Sequence, residues 1–321
     1  MQFLFVIDPL GTLKAYKDST VAMMRESQRR GHQVWVCEQT SIAHHRGSVS
    51  CEAQRIALTE DDEDWLRRHE QAQRALTSFD AVVMRKDPPF DLEYVTSTWL
   101  LSAAERDGAC IVNSPSAVRD HNEKIAILEF PQFNAPTLVT RDAERVHAFI
   151  DEHGDAVVKR LDTMGGENIF RVRADDLNRN AIIEIMLQGG ARSLMIQRFI
   201  PEIAEGDKRI LLIGGQVVPY PLARIPKAGE ARGNLAAGGR GEARELSQRD
   251  REIAATIAPL VAQRGLLLVG LDVIGDWLTE VNVTSPTCFR EIMDQTGYDV
   301  AALFVDGLER AAAERAAQAR A

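Results

Sequence analysis

Acidic and amide side chains near the C-terminus form the most informative cluster in the sequence. Glu280 and Asn282 lie two residues apart on a predicted strand, so they share one face of it. Asp272 precedes them across a turn at Gly275-Asp276. It joins the same face if the turn has an odd number of residues, and the opposite face if the turn has two. Such oxygens are hard ligands suited to Mg²⁺, and the alternative is the polar outer face of a half-buried hairpin.

A lysine and a glycine-bearing loop form the second candidate site. Lys159 ends an apolar strand, and the loop 162–169, which contains Gly165 and Gly166, leads into another apolar run. Backbone N–H groups of such a loop can surround phosphate oxygens, and Lys159 would add a positive charge beside them. The loop matches neither a Walker loop nor a Rossmann fingerprint. For an isolated Gly-Gly pair, an ordinary hairpin turn is the simpler interpretation.

The third candidate is a long loop, residues 224–241, which has no apolar periodicity and carries five glycines. Its arginines are Arg224, Arg232 and Arg240. Long loops inside compact domains are usually lids or disordered linkers. Because arginine binds phosphate or carboxylate through two parallel hydrogen bonds, this loop is suited to closing over an anionic group. A solvated flexible loop is the alternative.

The elements that must carry these residues change in character along the chain. In the first third, apolar runs predict strands over 3–7, 34–37, 81–84 and 110–112, and helical patterns cover 21–30 and 94–107. This alternation predicts a mainly parallel α/β sheet covered on both faces. Residues 40–74 are polar and their pattern leaves the fold of this segment open, while their acidic run at 60–64 is expected to be solvated.

The second part of the chain has antiparallel character. A helix is predicted over 123–130, and hairpins are predicted over 208–222 and 266–283, with glycines at their turns. Further helices are predicted over 142–153, 176–187, 248–264 and 308–321. Strand pairs with interleaved helices indicate an α+β unit. We therefore expect an α/β domain at 1–120 and a second domain at 121–315, with a lid loop at 225–241.

Composition excludes several classes of function. The 321 residues include 38 Lys and Arg against 47 Asp and Glu, a net charge of −9, which argues against nucleic acid as the main partner. No apolar run approaches the ~18 residues of a membrane span, and the N-terminus lacks the basic start of a signal peptide. The cysteines show no zinc or disulfide pattern. A reduced, cytoplasmic location is expected.

The order of lysine loop, arginine-bearing loop and metal face resembles the ATP-grasp ligases, and longer motifs closely resemble the bacterial glutathione synthetases. The shared motifs are MRKDPPFD at 84–91, NEK at 122–124, DKR at 207–209, RGNLAAGGRG at 232–241 and EVNVTSPT at 280–287. They extend over almost the whole chain and are far more specific than a single Gly-Gly pair. The resemblance implies an N-terminal α/β domain followed by an ATP-grasp fold, two α+β subdomains that clasp ATP.

The resemblance also implies roles for individual residues. The residues it assigns to ATP are Lys124, Lys159, Asp162, Gly165, Gly166, Gln197, Arg198, Phe199, Ile200, Asn234 and Gly239. Asp272, Glu280 and Asn282 are the implied ligands of Mg²⁺, with Mn²⁺ as the alternative ion. Arg209, Arg224 and Arg232 are implied to hold a peptide carboxylate and its phosphorylated form.

The phosphate-covering loop departs from the family pattern at one position. The family usually has Asp-Gly-x-Gly-Gly, whereas Thr163 replaces the first glycine here. Because threonine tolerates positive φ poorly, an ordinary β or α conformation is expected at this residue.

The reaction implied by the resemblance is an ATP-dependent carboxylate–amine ligation. γ-Glutamylcysteine and glycine would give glutathione through an acyl phosphate, with release of ADP and phosphate, in a homotetramer. Another ATP-grasp ligase, such as a D-alanine–D-alanine or glutamate-adding enzyme, would share the lysines and the metal face but not the motifs at 84–91 and 232–241. A non-catalytic ATP-binding module would have lost a metal ligand or a loop arginine, and all are present. Neither a nucleic acid nor a membrane is an expected partner.

Overall fold

The computed structural model describes residues 1–163, 166–227, 233, 235 and 238–318. Within this part of the chain, three sheets are formed. The strands are β1 (Gln2–Ile7), β2 (Gln33–Glu38), β3 (Ala43–His45), β4 (Ser48–Leu58), β5 (Leu66–Ala75), β6 (Ala81–Met84), β7 (Ile111–Val112), β8 (Thr137–Thr140), β9 (Asp155–Arg160), β10 (Ile169–Arg173), β11 (Leu194–Arg198), β12 (Asp207–Ile213), β13 (Gln216–Val217), β14 (Leu222–Ile225), β15 (Arg240–Ala243), β16 (Leu268–Ile274) and β17 (Trp277–Asn282). The α-helices are α1 (Ser19–Arg29), α2 (Leu92–Arg106), α3 (Pro115–Asp120), α4 (Ala143–His153), α5 (Arg179–Leu187), α6 (Gln248–Gln263), α7 (Phe289–Thr296) and α8 (Val300–Gln318).

Four parallel strands in the order β2-β1-β6-β7 form the centre of the N-terminal sheet. The continuous apolar run of β1 is buried because helices cover both faces. Leu4 and Val6 lie in one core cluster with residues of α2, whereas Phe3 and Phe5 lie in another with residues of α1 and α8. The predicted parallel sheet covered on both faces is confirmed for these four strands, whereas β4 extends the sheet beyond β2 with antiparallel pairing.

The polar stretch 40–74 forms regular structure that the sequence pattern does not predict. β4 and β5 pair antiparallel along nearly their whole length, and β3 pairs with the start of β4. On β4, Val49, Cys51 and Ala53 alternate towards the core, while most of β5 is exposed. Because the buried residues alternate with polar ones and the pairing with β5 shifts between Gln54 and Ile56, the segment shows no continuous apolar run. The acidic run 60–64 lies between the two strands and is mostly exposed, as expected.

Two further predictions need correction. The helix predicted over 123–130 is a short 3-10 helix, Ile125–Glu129, confined between the turn at Asn122 and Pro131, which cannot continue a helix. The strand predicted to run to residue 222 ends at Val217, because Pro219 and Pro221 lack the N–H groups that a ladder needs. The chain then re-enters the sheet as β14, which pairs with the opposite end of β12.

The other two sheets are antiparallel and carry helices, which confirms the predicted α+β unit. The middle sheet has the order β10-β9-β11-β8, and α4 and α5 cover one face. The C-terminal sheet has the order β15-β14-β12-β16-β17, with α6 packed on it. No helix of the described residues is both long and apolar enough to cross a membrane.

Asn113 ties the N-terminal sheet to the C-terminal one. This buried residue follows β7, and its side-chain Nδ2 donates to the carbonyls of Leu268 (2.8 Å) and Val283 (2.9 Å). Its Oδ1 accepts from the Leu268 N–H at 2.9 Å. One side chain therefore satisfies three backbone groups beside the strands that carry the acidic face.

Replacing Asn113 with alanine is expected to lower the free energy of unfolding by about 2–4 kcal/mol, because each buried group left unpaired costs about 1–3 kcal/mol. Denaturant unfolding followed by circular dichroism measures this loss. Asn180→Ala, on an exposed face of α5, should change stability by less than about 0.5 kcal/mol. Equal losses in the two variants would contradict the bridging role.

Candidate active site

Asp272 and Glu280 face each other because a β-bulge changes the register of their hairpin. The turn Gly275-Asp276 has two residues, which alone would place Asp272 on the face opposite Glu280. The register shifts between Val273 and Asp272, so that Asp272 pairs directly with Glu280. The extra residue on β17 is Thr279, whose hydroxyl donates to the Asp272 carbonyl at 3.1 Å. Of the two open alternatives, the structure therefore has the one in which all three acidic and amide residues share a face.

The donor atoms on this face fit a hard divalent cation. The Asn282 Nδ2 donates to the Gly270 carbonyl at 3.1 Å, and this bond leaves the amide oxygen available as an acceptor. Glu280 is half-buried and lies 3.8 Å from the Lys124 ammonium. Within the described residues, no three His, Cys, Asp or Glu side chains form a metal cluster.

Asp272 is held between two buried arginines. Arg209 donates to its two carboxylate oxygens at 2.5 and 3.0 Å, and Arg224 lies 2.9 Å from one of them. Burial alone would raise the pKa of Asp272, but the two guanidinium groups outweigh burial and lower it. Gly270 makes this approach possible, since a Cβ there would lie 2.8 Å from the Arg209 Cδ. The carboxylate therefore stays ionised at the base of the acidic face.

Asp207 completes this charge cluster. Its Oδ2 lies 2.5 Å from Arg224, while its Oδ1 is buried and has no hydrogen-bond partner among the described residues. Burial raises the pKa of Asp207 to about 6. The sequence motif containing Asp207 was recognised, but no role was assigned to this residue. Asp207 itself is one of the residues that line the central cleft.

The two predicted lysines meet at the same place from different segments. Lys159 ends β9 and is buried, and burial lowers its pKa. The Lys124 ammonium donates to the Thr163 carbonyl at 2.6 Å, in addition to its ion pair with Glu280. Both lysines and Glu280 line the central cleft. Cations and carboxylates are therefore assembled around one space.

The loop after β9 is organised by side-chain contacts. Asp162 pairs with Arg160 (2.7 Å) and with Arg192 (3.3 Å), so its carboxylate is already engaged by cations. The Thr163 hydroxyl donates to the Glu167 carbonyl at 3.0 Å. Thr163 is not among the residues with positive φ, as expected, whereas Gly166 has φ +84°.

The central cleft between the middle and C-terminal sheets has an empty volume of about 790 Å³. Predicted residues at its wall are Lys124, Lys159, Gly166, Gln197, Arg198, Phe199, Ile200, Asp272 and Glu280. Predicted residues that do not line it are Asp162, Arg209, Arg224, Gly239 and Asn282. Gly165, Arg232 and Asn234 lie outside the described residues, as does much of the predicted lid 225–241.

Sequence reasoning missed the apolar wall of the cleft. Val157, Ile169, Ile203 and Ile274 line it together with Phe199, but in sequence they look like any strand or core residue. Gly233 also lines the cleft. This glycine belongs to the motif at 232–241 that resembles the family, so the sequence did contain an indication of its importance. A Cβ at Gly233 would lie 2.3 Å from the Arg224 carbonyl, so only glycine permits this close approach.

The strand end at Arg198 offers backbone groups to the cleft. The Arg198 N–H donates to the Pro136 carbonyl at 3.0 Å, and the Phe199 N–H donates to Asp155 at 3.0 Å. Proline has no N–H with which to return the bond. The Arg198 carbonyl therefore receives no hydrogen bond from the backbone of Pro136. Gln197 is buried beneath, with its amide bonded to Thr137 at 2.9 Å.

The fold and the cleft define an ATP-grasp ligase. The family model of the prokaryotic glutathione synthetase N-terminal domain matches residues 1–119, and that of the prokaryotic glutathione synthetase ATP-grasp domain matches residues 123–297. The chain therefore belongs to the prokaryotic glutathione synthetase family. Members of such a family use ATP and typically a divalent metal ion.

Curated relatives agree along nearly the whole chain. The glutathione synthetase of Ralstonia nicotianae is 59% identical over 97% of this chain and 96% of that protein. The glutathione synthetase of Neisseria meningitidis serogroup A is 54% identical over 96% and 98%. Among solved structures, D-cycloserine synthetase DcsG has a TM-score of 0.67 at 15% identity over 96% and 99%. The ATP-grasp ligase PsnB, complexed with minimal precursor, Mg and ADP, has a TM-score of 0.60 at 20% identity over 97% and 98%. At these identities, the likeness to the two structures shows the fold alone.

Proposed function

We propose that this chain joins γ-glutamylcysteine to glycine at the expense of ATP, through an acyl phosphate, and releases glutathione, ADP and phosphate. Two observations support the proposal: the chain belongs to the family, and relatives named glutathione synthetase are 54–59% identical to it. The observation that carries it is the convergence of Lys124, Lys159, Asp272 and Glu280 on one cleft. A charged phosphate tail needs cations, and a bound divalent ion needs carboxylates, within the same space.

We place the adenine of ATP against the apolar wall formed around Phe199 and Ile200. The Arg198 carbonyl, which receives no bond from Pro136, can accept from the adenine amino group, and the Ile200 N–H can donate to the ring. The phosphates then extend towards Lys124 and Lys159, beneath the loop containing Gly166. Phosphate oxygens favour such a site because the lysine charges lie in a partly buried setting, where electrostatic interactions are stronger than in water.

We assign the metal site to Asp272, Glu280 and Asn282, with Mg²⁺ as the ion and Mn²⁺ as the alternative. Oxygen donors of this kind suit both ions. When bound, the ion would neutralise phosphate charge and favour transfer of the γ-phosphoryl group. Arg209 and Arg224 hold Asp272 ionised and oriented for this role.

The peptide carboxylate must be activated because its anion is a poor electrophile. A carboxylate oxygen bonds to the γ-phosphorus of ATP while the bond to ADP breaks, which gives the acyl phosphate. The glycine nitrogen then attacks the acyl carbon, phosphate leaves with the C–O electron pair, and the amine gives up a proton. We assign Arg209, Arg224 and Arg232 to the anionic carboxylate and acyl phosphate, and the lid 225–241 to the exclusion of water.

Product analysis with each substrate omitted in turn tests the proposal. With ATP, Mg²⁺, γ-glutamylcysteine and glycine, we expect glutathione and ADP in equal amounts, and neither product when any component is missing. ADP release only with other carboxylate and amine pairs would identify a different ligase of this fold. Nucleotide binding without turnover of any pair would identify a non-catalytic ATP-binding module.

The remaining assignments concern the chain as a whole. We propose a division into an N-terminal domain at 1–120 and an ATP-grasp domain at 121–315, since the two family models meet at residues 119 and 123. We further propose a cytoplasmic homotetramer with small-molecule substrates. Light scattering after size-exclusion chromatography measures the oligomer mass, and a monomer mass would overturn the tetramer.

A further inference from the structure

Glu123 connects the segment of Lys124 to the end of the acidic strand. Its carboxylate oxygen Oε1 accepts three hydrogen bonds, from the Val283 N–H (2.9 Å), the Thr284 N–H (3.0 Å) and the Thr284 hydroxyl (2.8 Å). Hydrogen bonds to a charged acceptor are about twice as strong as those between neutral groups. A single side chain therefore fixes the point where the chain leaves β17.

The backbone of Glu123 binds the same strand a second time. Its carbonyl accepts from the Val281 N–H at 2.8 Å. Val281 lies between Glu280 and Asn282, and its side chain is fully buried. The main chain of Glu123 thus binds β17 between Glu280 and Asn282, and its side chain binds the chain just after Asn282.

The neighbours of Glu123 extend this connection to the phosphate side of the cleft. The Asn122 Nδ2 donates to the Leu161 carbonyl at 3.0 Å, and the Asn122 Oδ1 accepts from the Lys124 N–H at 3.2 Å. No α-helix supports this stretch, since it leads into the short 3-10 helix Ile125–Glu129. The position of Lys124 therefore depends on side-chain bonds rather than on a regular helix.

We propose that Glu123 is a positioning residue that sets Lys124 at its working distance from Glu280 and Asn282. It does not contact ATP or the metal ion; it acts through the segments that do. The inference rests on the proposed function for the roles of those three residues. It predicts that the bonds accepted by Glu123, rather than its negative charge, determine how tightly the cleft binds nucleotide.

Calorimetric titration with Mg²⁺ and ADP, without peptide or glycine, tests the proposal. Glu123→Ala removes the acceptor, and we expect the affinity for ADP to fall about tenfold, or ~1.4 kcal/mol. Glu123→Gln keeps an oxygen that can accept the same bonds, so its affinity should stay within about twofold of wild type, since hydrogen bonds to neutral groups are weaker but still oriented. An affinity of the Gln variant as low as that of the Ala variant would overturn the acceptor role.

Glu129, the last residue of the 3-10 helix that follows Glu123, provides a matched control. Its carboxylate pairs with Arg264 at 2.6 Å and makes no bond to β17. Glu129→Ala should lower thermal stability without changing ADP affinity. Equal ADP affinities in Glu123→Ala and Glu129→Ala would overturn the proposal.

A milder variant covers the case in which Glu123→Ala fails to fold. Thr284→Val removes one of the three bonds to Oε1 and keeps the two backbone ones, so a smaller loss of ADP affinity is expected. Unchanged affinity in that variant would count against the proposal. Glutathione formation by the wild type is measured separately; its absence would overturn the proposed function and leave these binding results standing.

Discussion

Replacing Glu280 with glutamine is expected to lower turnover about a hundredfold or more, the size of effect seen when one preorganised transition-state contact is lost. The reason is that the amide removes one negative charge from the proposed metal site while keeping the shape of the side chain. The fold should be hardly affected. The contact that Glu280 makes within the described residues is an ion pair with Lys124 at 3.8 Å, which is too long for a hydrogen bond, and glutamine keeps the packing of the side chain.

Steady-state glutathione formation and thermal unfolding measure the two effects on the same preparation. Glu70→Gln is a suitable control, since Glu70 lies on the exposed strand β5 and pairs with Arg55 on the neighbouring strand. That variant should keep full turnover. Wild-type turnover of Glu280→Gln at saturating Mg²⁺ would refute the ligand assignment, and a large fall in its unfolding temperature would show that Glu280 serves the fold.

The acidic hairpin shows where sequence reasoning ends. The period of two on β17 correctly places Glu280 and Asn282 on one face. The position of Asp272 could not be decided, because it depends on whether an extra residue interrupts the pairing. Thr279 forms that bulge, and a threonine at this position does not by itself predict one. Register is a property of two strands together, so the pattern of one strand does not contain it.

The arginines show a second kind of limit. Family resemblance selected Arg209 and Arg224, but the structure adds that both are bound to Asp272, and Arg224 also to Asp207. These partners come from three different strands, β12, β14 and β16. The spacing of these residues along the chain does not predict that they form ion pairs with one another. In contrast, the strand ending in Lys159 could be predicted, because an apolar run of residues is a local signal.

The N-terminal sheet divides in the same way. The central strand β1 is predicted by a run of apolar residues that two helical layers cover. β4 and β5 are not predicted because the buried residues of β4, such as Cys51 and Ala53, alternate with polar ones, and most of β5 is exposed. Local composition therefore predicts elements whose burial is complete. It fails where only every second residue is buried by a partner distant in sequence.

Replacing Lys159 with methionine is expected to weaken the binding of ADP about tenfold or more, since it removes a charge-assisted contact to phosphate. The same change should raise the free energy of unfolding by about 1 kcal/mol, because Lys159 is a buried charge that makes no ion pair with the residues that the structure describes, and such a charge is costly to the fold. Lys159 is 7% exposed, and burial lowers its pKa. Methionine fills a similar volume without that cost. The affinity for ADP should therefore fall while the free energy of unfolding rises.

The pH dependence of the stability difference tests this explanation. A lysine with a lowered pKa in the folded protein binds fewer protons there than in the unfolded chain, so wild-type stability should rise with pH through the window below the ordinary value of 10.5. Methionine does not titrate, and its advantage should therefore be largest near neutral pH and shrink towards pH 10.5. Lys14→Met, at an exposed position, should show neither effect. Chemical denaturation at several pH values measures both variants, and an advantage that stays constant across that range would mean that packing, rather than the buried charge, separates methionine from lysine at this site.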